Sequence, residues 1–459
     1  MPLYAKTSVS IVVIVLMALW AMLPARFDVL APRLGIPAIV QAGDTVQLTI
    51  RSSTPLWQPH WQLWLAQRGQ RIPISNTFQD TRFNTATVSF PVPASLGPGS
   101  YSLIVSDGAS EQRRPKAVHV VADFPEKVSI VQMADLPTLG DDGDGDQRLQ
   151  QIVDEVNIIN PDLVLMTGDV AYGGRWDQYQ RLLAAMERIN APVIAAPGNH
   201  EYEGWAGYLT LLGTPYHSVD FGKLQVISLN SGHGRDQLTE TQYAWLQNTL
   251  QQRDGRIPVV QIHHPVQHRP ELHGYVSAHV QDLVAMFKAS AVPIVLSGHW
   301  HGDAVYDETG RDRRDTWDFP GVPYVMTTTA GADLRKSYST SPMHHGYRLI
   351  RLEHGRLESY TYDMDGDGQR DATSSIPVGK LHSTQLGATS VLVENALHED
   401  FPHARAVIKV PGDQPDLLPD QGRITAQYRE DDTSMYVIEL PLPANSQQRV
   451  QLRAGQGKQ

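Results

Sequence analysis

Between residues 168 and 301 the chain carries four short segments whose residue types suit a metal centre: Gly168-Asp169-Val170-Ala171-Tyr172, Gly198-Asn199-His200-Glu201, Val260-Gln261-Ile262-His263 and Gly298-His299-Trp300-His301. With Asp135 they offer carboxylate, amide, phenol and imidazole donors. That mixed oxygen and nitrogen set suits transition metals and serves a calcium cage poorly. Two cations held about 3.5–4 Å apart need one ligand that can bridge them and offset their repulsion. Asp169 is the natural bridge. His299 and His301 are one residue apart, and in an extended segment such a pair points to one side, so each of two metals can take one imidazole.

Each segment follows a short apolar run rich in β-branched residues: 163–167, 193–196, 258–262 and 293–297. These read as strands. A fifth run, 128–134, ends in Asp135. Every donor therefore sits just past the carboxyl end of a strand, the edge at which open α/β sheets gather their sites. Gly168, Gly198 and Gly298 fall where the chain must turn sharply and pass close to the metals.

These segments resemble those of the calcineurin-like metallophosphoesterase superfamily, and Gly168-Asp169-x-x-Tyr172 is similar, within it, to the purple acid phosphatases. The resemblance covers roughly the middle half of the chain. It implies an α/β catalytic domain of the αββα sandwich type. It also implies one metal held by Asp135, Asp169, Tyr172 and His301, and a second held by Asp169, Asn199, His263 and His299, the ions being Fe, Zn or Mn. His200 is then no ligand but a proton donor or phosphate clamp. The first motif departs from the family's Asp-x-His or Asp-x-Gly, reading Asp135-Leu136-Pro137. Tyr172 must supply the donor missing there. The activity implied is hydrolysis of phosphate esters by a metal-bridging hydroxide, acid phosphatase-like, with phosphodiester hydrolysis as the alternative for the same site. A further alternative is a non-catalytic cell-envelope protein with a decayed phosphatase domain, for which Pro137 is the only support.

The remaining histidines carry less. Alternation along a strand turns His264 to the face opposite His263, in second-shell or solvent surroundings. His268, His273 and His279 show no spacing logic and read as surface residues. A net charge of −11 argues against nucleic acid or an anionic membrane surface as the main partner. A phosphate-ester substrate remains compatible, since bound metals supply the positive potential. The chain has no Cys and so neither a disulfide nor a thiolate ligand.

At 459 residues the chain is too long for one core. Residues 1–25, with Lys6 ahead of an apolar stretch over 9–23, read as an export signal or a single membrane anchor. The protein is accordingly periplasmic, secreted or held at the outer face of a membrane. Residues 27–125 alternate short β-type runs with turns, an immunoglobulin- or fibronectin-like β-sandwich. Trp57, Trp61 and Trp64 are expected in its core. Residues 127–375 alternate strands and helices, the phosphoesterase domain, and 376–459 return to strands as a small β-rich domain. Asp363, Asp365, Asp367 and Asp371 are spaced as a calcium loop lacking its final Glu, or form a solvated interdomain turn. In the acidic run 141–146, Asp146 is expected to cap the following helix.

Overall fold

In the computed structural model the described residues are 27–53, 61–136, 144–232, 238–266, 274–276, 278–334, 343–414 and 416–454. The apolar segment 9–23, Trp57, Pro137, His268 and His273 lie outside them. Among the described residues no helix is long and apolar enough to cross a membrane.

Two six-stranded sheets form the catalytic core. In the first, β1 (Lys127–Met133) pairs in parallel with β2 (Leu163–Thr167), and β2 with β3 (Val193–Ala196). On its other side β1 pairs antiparallel with Gly346–Glu353. In the second sheet Leu224–Leu229, β4 (Ile257–Ile262), β5 (Val295–Ser297) and Tyr324–Met326 run parallel, and antiparallel strands close both edges. Leu165, Ile194, Val259, Ile294, Leu296 and Ile350 fill the space between the sheets. Strands covered on both faces must be apolar throughout, and β2 is buried at every position.

Helices cover the outer faces. α1 (Asp144–Ile159) and α2 (Trp176–Arg188) lie on the first sheet, α3 (Glu240–Gln251) and α4 (Val280–Ala289) on the second. This is the αββα order. Two helix starts are set locally, the first differing from expectation. α1 begins at Asp144, so Asp146 sits in its first turn and pairs with Arg181 at 3.4 Å instead of capping; a carboxylate there still complements the helix dipole. α4 begins only at Val280, because His279 is left-handed at φ 57° and cannot continue a helix.

A four-stranded and a five-stranded sheet precede the catalytic core. They pack Val29, Leu48, Leu63, Phe90, Leu103 and Val118 between them. Trp61 lies in this core, edge-on to Phe27 with ring centroids 4.9 Å apart, and Trp64 is half-buried. After the core, a four-stranded and a three-stranded sheet follow. Their buried residues, among them Val391, Phe401, Ala406, Ile438 and Leu452, belong to one cluster with Leu149, Ile152 and Val156 of α1. Glu155 of α1 cements the join, accepting hydrogen bonds from the Tyr347 hydroxyl and the Gly379 N–H.

Candidate metal centre

The loops after β1, β2, β3, β4 and β5 meet at one edge of the paired sheets. Asp135, Asp169 and His263 are almost wholly buried there. Asp169, His263 and His299 each direct one donor atom into a common space, all within 4.8 Å of one another. His263 Nε2 lies 3.1 Å from Asp169 Oδ2 and 4.0 Å from Asp135 Oδ1. His301 Nε2 lies 3.3 Å from that same Asp135 oxygen. Asp135 Oδ1 faces both imidazoles yet accepts no hydrogen bond from any described residue.

Backbone contacts fix the ring orientations. His263 Nδ1 donates to the Thr167 carbonyl at 2.9 Å, which turns Nε2 toward the carboxylates. His301 Nδ1 does the same to the Asp333 carbonyl at 2.6 Å. The His299 N–H donates to Asp135 Oδ2 and the His200 N–H to Asp169 Oδ1. An imidazole whose second nitrogen is occupied in this way is set up as a ligand.

The expectation of an extended His299–His301 segment does not hold. Both residues are left-handed, at φ 75° and 53°, so two kinks rather than the strand period set their directions: the His299 ring lies by His263 and the His301 ring by Asp135. His264 stands behind the candidate ligand His299, one of the two places expected for it, but for another reason. β4 ends at Ile262, so alternation no longer governs the next two residues. His264 is buried, its Nδ1 lies 2.7 Å from the Ser231 hydroxyl, and its ring stands 4.2 Å from that of His299. His279 is at the surface beside Glu240.

The glycines confirm close approach. A Cβ on Gly198 would meet Asp169 Oδ1 at 2.1 Å, and one on Gly168, itself at φ 82°, would meet the His263 ring at 2.4 Å. Only glycine leaves room there.

Asn199 and His200 follow β3 at the edge of the cluster. The His200 side chain is a quarter exposed, with Nε2 3.9 Å from Asp169 Oδ2. Tyr172, expected as the donor that completes the first metal's set, is 52% exposed and rests its ring on His200, 4.6 Å between centroids; among the described residues its phenol makes no hydrogen bond to Asp135, Asp169 or His301.

One residue of the site has no role in the sequence reading. Glu201 is fully buried and accepts from the N–H groups of Asp169 at 3.0 Å, Gly198 at 2.5 Å and Ala171 at 2.9 Å. A single carboxylate thus ties the loop carrying Asp169 to the loop carrying Asn199. An acid in a turn gives no hint of this, because two of the three partners, Asp169 and Ala171, arrive from 30 and more residues away only once β2 and β3 are paired.

The electrostatics call for cations. Burial alone would raise the Asp169 carboxyl, and the facing His263 imidazole overrides this and holds it below the ordinary range. Burial alone would lower His263, yet Asp169 and Asp135 push it up to about 10. Burial and the Asp169 charge push Glu201 up to about 8. Buried carboxylates need a compensating charge, and the ion pairs of Asp135 and Asp169 among the described residues are all with histidines. The donor set, the unsatisfied Asp135 oxygen and the glycine cradle fit two metal ions. Asp135, Asp169, Asn199, His263, His299 and His301 are the residues placed to hold them.

Comparisons with known proteins agree. Residues 128–303 match calcineurin-like phosphoesterase. A probable cyclic nucleotide phosphodiesterase of Rhodococcus erythropolis is 31% identical over 238 residues, 48% of this chain and 73% of that protein. One of Moraxella catarrhalis is 28% identical over 199 residues, 38% and 71% of the two chains. A solved purple acid phosphatase from yellow lupin seeds is 15% identical, with a TM-score of 0.46 over 81% of this chain and 71% of that one. With the match over residues 128–303, a relative 31% identical over most of its length and a donor from every loop at the sheets' common edge, the chain belongs to the calcineurin-like phosphoesterase family, whose members are metal-dependent phosphoric ester hydrolases with a dinuclear metal site.

Proposed function

We propose that the protein is an exported phosphodiesterase with a dinuclear centre of Fe, Zn or Mn. The observation that carries the chemistry is the buried carboxylate pair, Asp135 and Asp169, paired among the described residues with imidazoles alone, with His200 beside it at the edge. Two ions bound there supply an activated water and neutralise charge on the phosphate oxygens. The chain's residues do the rest. Asp169, with one donor atom beside those of His263 and His299, would be the bridging ligand. Asp135 and His301 would serve one ion, and Asn199, His263 and His299 the other, with Tyr172 set apart from the first because its ring lies on His200. The loops fix their backbones, so little reorganisation is needed when substrate arrives.

His200 stands outside the ligand set and is partly open to solvent. It holds a phosphate oxygen or protonates the leaving oxygen. Diesters are favoured over monoesters as substrates because both bacterial relatives above bear the name of cyclic nucleotide phosphodiesterase. Export rests on the apolar stretch 9–23 behind Lys6. The half-buried Asp363 and the exposed Asp365 and Asp367 lie close enough to share a calcium ion, although Asp363 already accepts the N–H groups of Gly366 and Gly368 as a self-capped turn.

The test is direct. Purified protein is analysed for metal and assayed on bis(p-nitrophenyl) phosphate and p-nitrophenyl phosphate. About two ions per chain and a higher kcat/KM on the diester support the proposal. A preference for the monoester removes the diester reading, and full activity without metal removes the mechanism.

A further inference from the structure

Tyr172 and Trp176 are two of the few large apolar side chains that the described residues leave exposed, at 52% and 53%. Both lie in the segment that leads out of the metal centre. Such exposure singly is ordinary at a surface; beside a catalytic edge it marks a place that something covers.

The Tyr172 ring is held in place. It rests on the His200 ring at 4.6 Å and an interplanar angle of 33°. The turn that bears it, Tyr172–Gly174, lies backbone to backbone on the His200–Gly204 turn: a Cβ on Gly174 would meet the Gly204 Cα at 2.2 Å, and one on Gly204 would strike the Gly174 backbone. Gly173 and Gly174 are left-handed, at φ 70° and 59°, which only glycine adopts without strain. Glu201 holds the Ala171 N–H from beneath. The ring is therefore a fixed surface, one face on His200 and the remainder toward solvent.

We propose that Tyr172 is a specificity-determining residue that stacks the planar leaving group of an aryl or nucleoside phosphodiester. The inference rests on the phosphodiesterase reading above. His200 faces the metal cluster on one side and Tyr172 on the other. An ester whose leaving oxygen approaches His200 carries its substituent outward over the Tyr172 ring. A flat aromatic substituent gains base–aromatic stacking there, whereas a glycerol or ethanolamine substituent has no π-face to offer. Fixing the ring beforehand removes the entropy of ordering it on binding.

The test compares bis(p-nitrophenyl) phosphate and cyclic AMP with glycerophosphoethanolamine. In Tyr172→Ala the ratio of aromatic to aliphatic kcat/KM falls about tenfold, mainly through KM, while Tyr172→Phe keeps the wild-type ratio. Both variants bind as much metal as wild type by elemental analysis. An unchanged ratio in Tyr172→Ala overturns the proposal. So does a visible charge-transfer band in the iron-loaded wild type that Tyr172→Phe abolishes, because the phenol is then a metal ligand. Should wild type cleave only monoesters, the diester reading fails by itself, and the same variants compared on phenyl phosphate and glycerol phosphate decide the stacking.

Discussion

Glu201 Oε2 accepts the backbone N–H of Asp169 at 3.0 Å, so the residue that bridges the proposed metals is positioned by a carboxylate that binds neither. The same side chain holds Gly198 and Ala171. In Glu201→Ala the buried N–H groups lose their acceptor at about 1–3 kcal/mol each. We expect a lower Tm and metal affinity down about 10–100-fold, read by thermal melts and metal titration. Wild-type metal affinity in this variant would remove Glu201 from the positioning role.

Asp169→Asn replaces the bridging charge with a neutral amide. The amide oxygen can still accept the His200 N–H, so the fold is expected to survive with an unchanged circular dichroism spectrum. Tight binding of both ions and nearly all hydrolysis are lost. Wild-type turnover would exclude a dinuclear mechanism.

His200→Ala is expected to keep both ions. A general acid contributes about 10²–10⁴-fold, and the loss should be largest for esters with basic leaving groups and small for activated aryl esters. Loss of metal from this variant would make His200 a ligand.

His263 is pushed up to about 10 by Asp169 and Asp135 working against its burial. Metal must displace that proton, because a ligating imidazole is neutral. Loading the metal-free protein at pH 7 should therefore release a proton from this site, and affinity should weaken as pH falls. Calorimetric titration in buffers of different ionisation enthalpy measures the release. Binding with no proton exchange would contradict the assignment.

Burial raises Glu155 to about 7 despite its hydrogen bonds from Gly379 and Tyr347. The folded state therefore holds this proton more tightly than the unfolded chain, whose carboxyl titrates near 4.5. Stability from this group is greatest below the unfolded value and is lost as pH rises toward 7, by roughly 3 kcal/mol in all. Glu155→Gln can make both hydrogen bonds without the charge. It should flatten that part of the profile and raise stability at pH 8, as followed by urea unfolding.

The metal centre was legible because its residues announce themselves locally: Asp135, Asp169, Asn199, His263, His299 and His301 each end a strand, and the parallel pairing of β1 with β2 and β2 with β3 is what such strands do. What stayed hidden depends on contacts across the fold. Glu201 finds its partners only when two loops meet. The Gly174–Gly204 contact joins positions on different turns. The surroundings of His264 behind His299 come from loop packing and not from the strand period, which ends two residues earlier. The helices Asp144–Ile159 and Glu240–Gln251 fall within the stretch read as alternating strands and helices, since an amphipathic period of 3.6 shows in the residues themselves. Short strands such as Ala304–Tyr306 and Tyr324–Met326 are too brief to show any period.

The apolar cluster that α1 shares with the last two sheets, down to Val450 and Leu452, bears on how the polypeptide matures. Synthesis runs from the N-terminus and domains usually fold as they emerge. Here the helix covering the first catalytic sheet packs on Leu381–Gln385 and Phe401–Pro411, strands made long after it. A ribosome stalled before residue 381 would present a catalytic half with that apolar face uncovered.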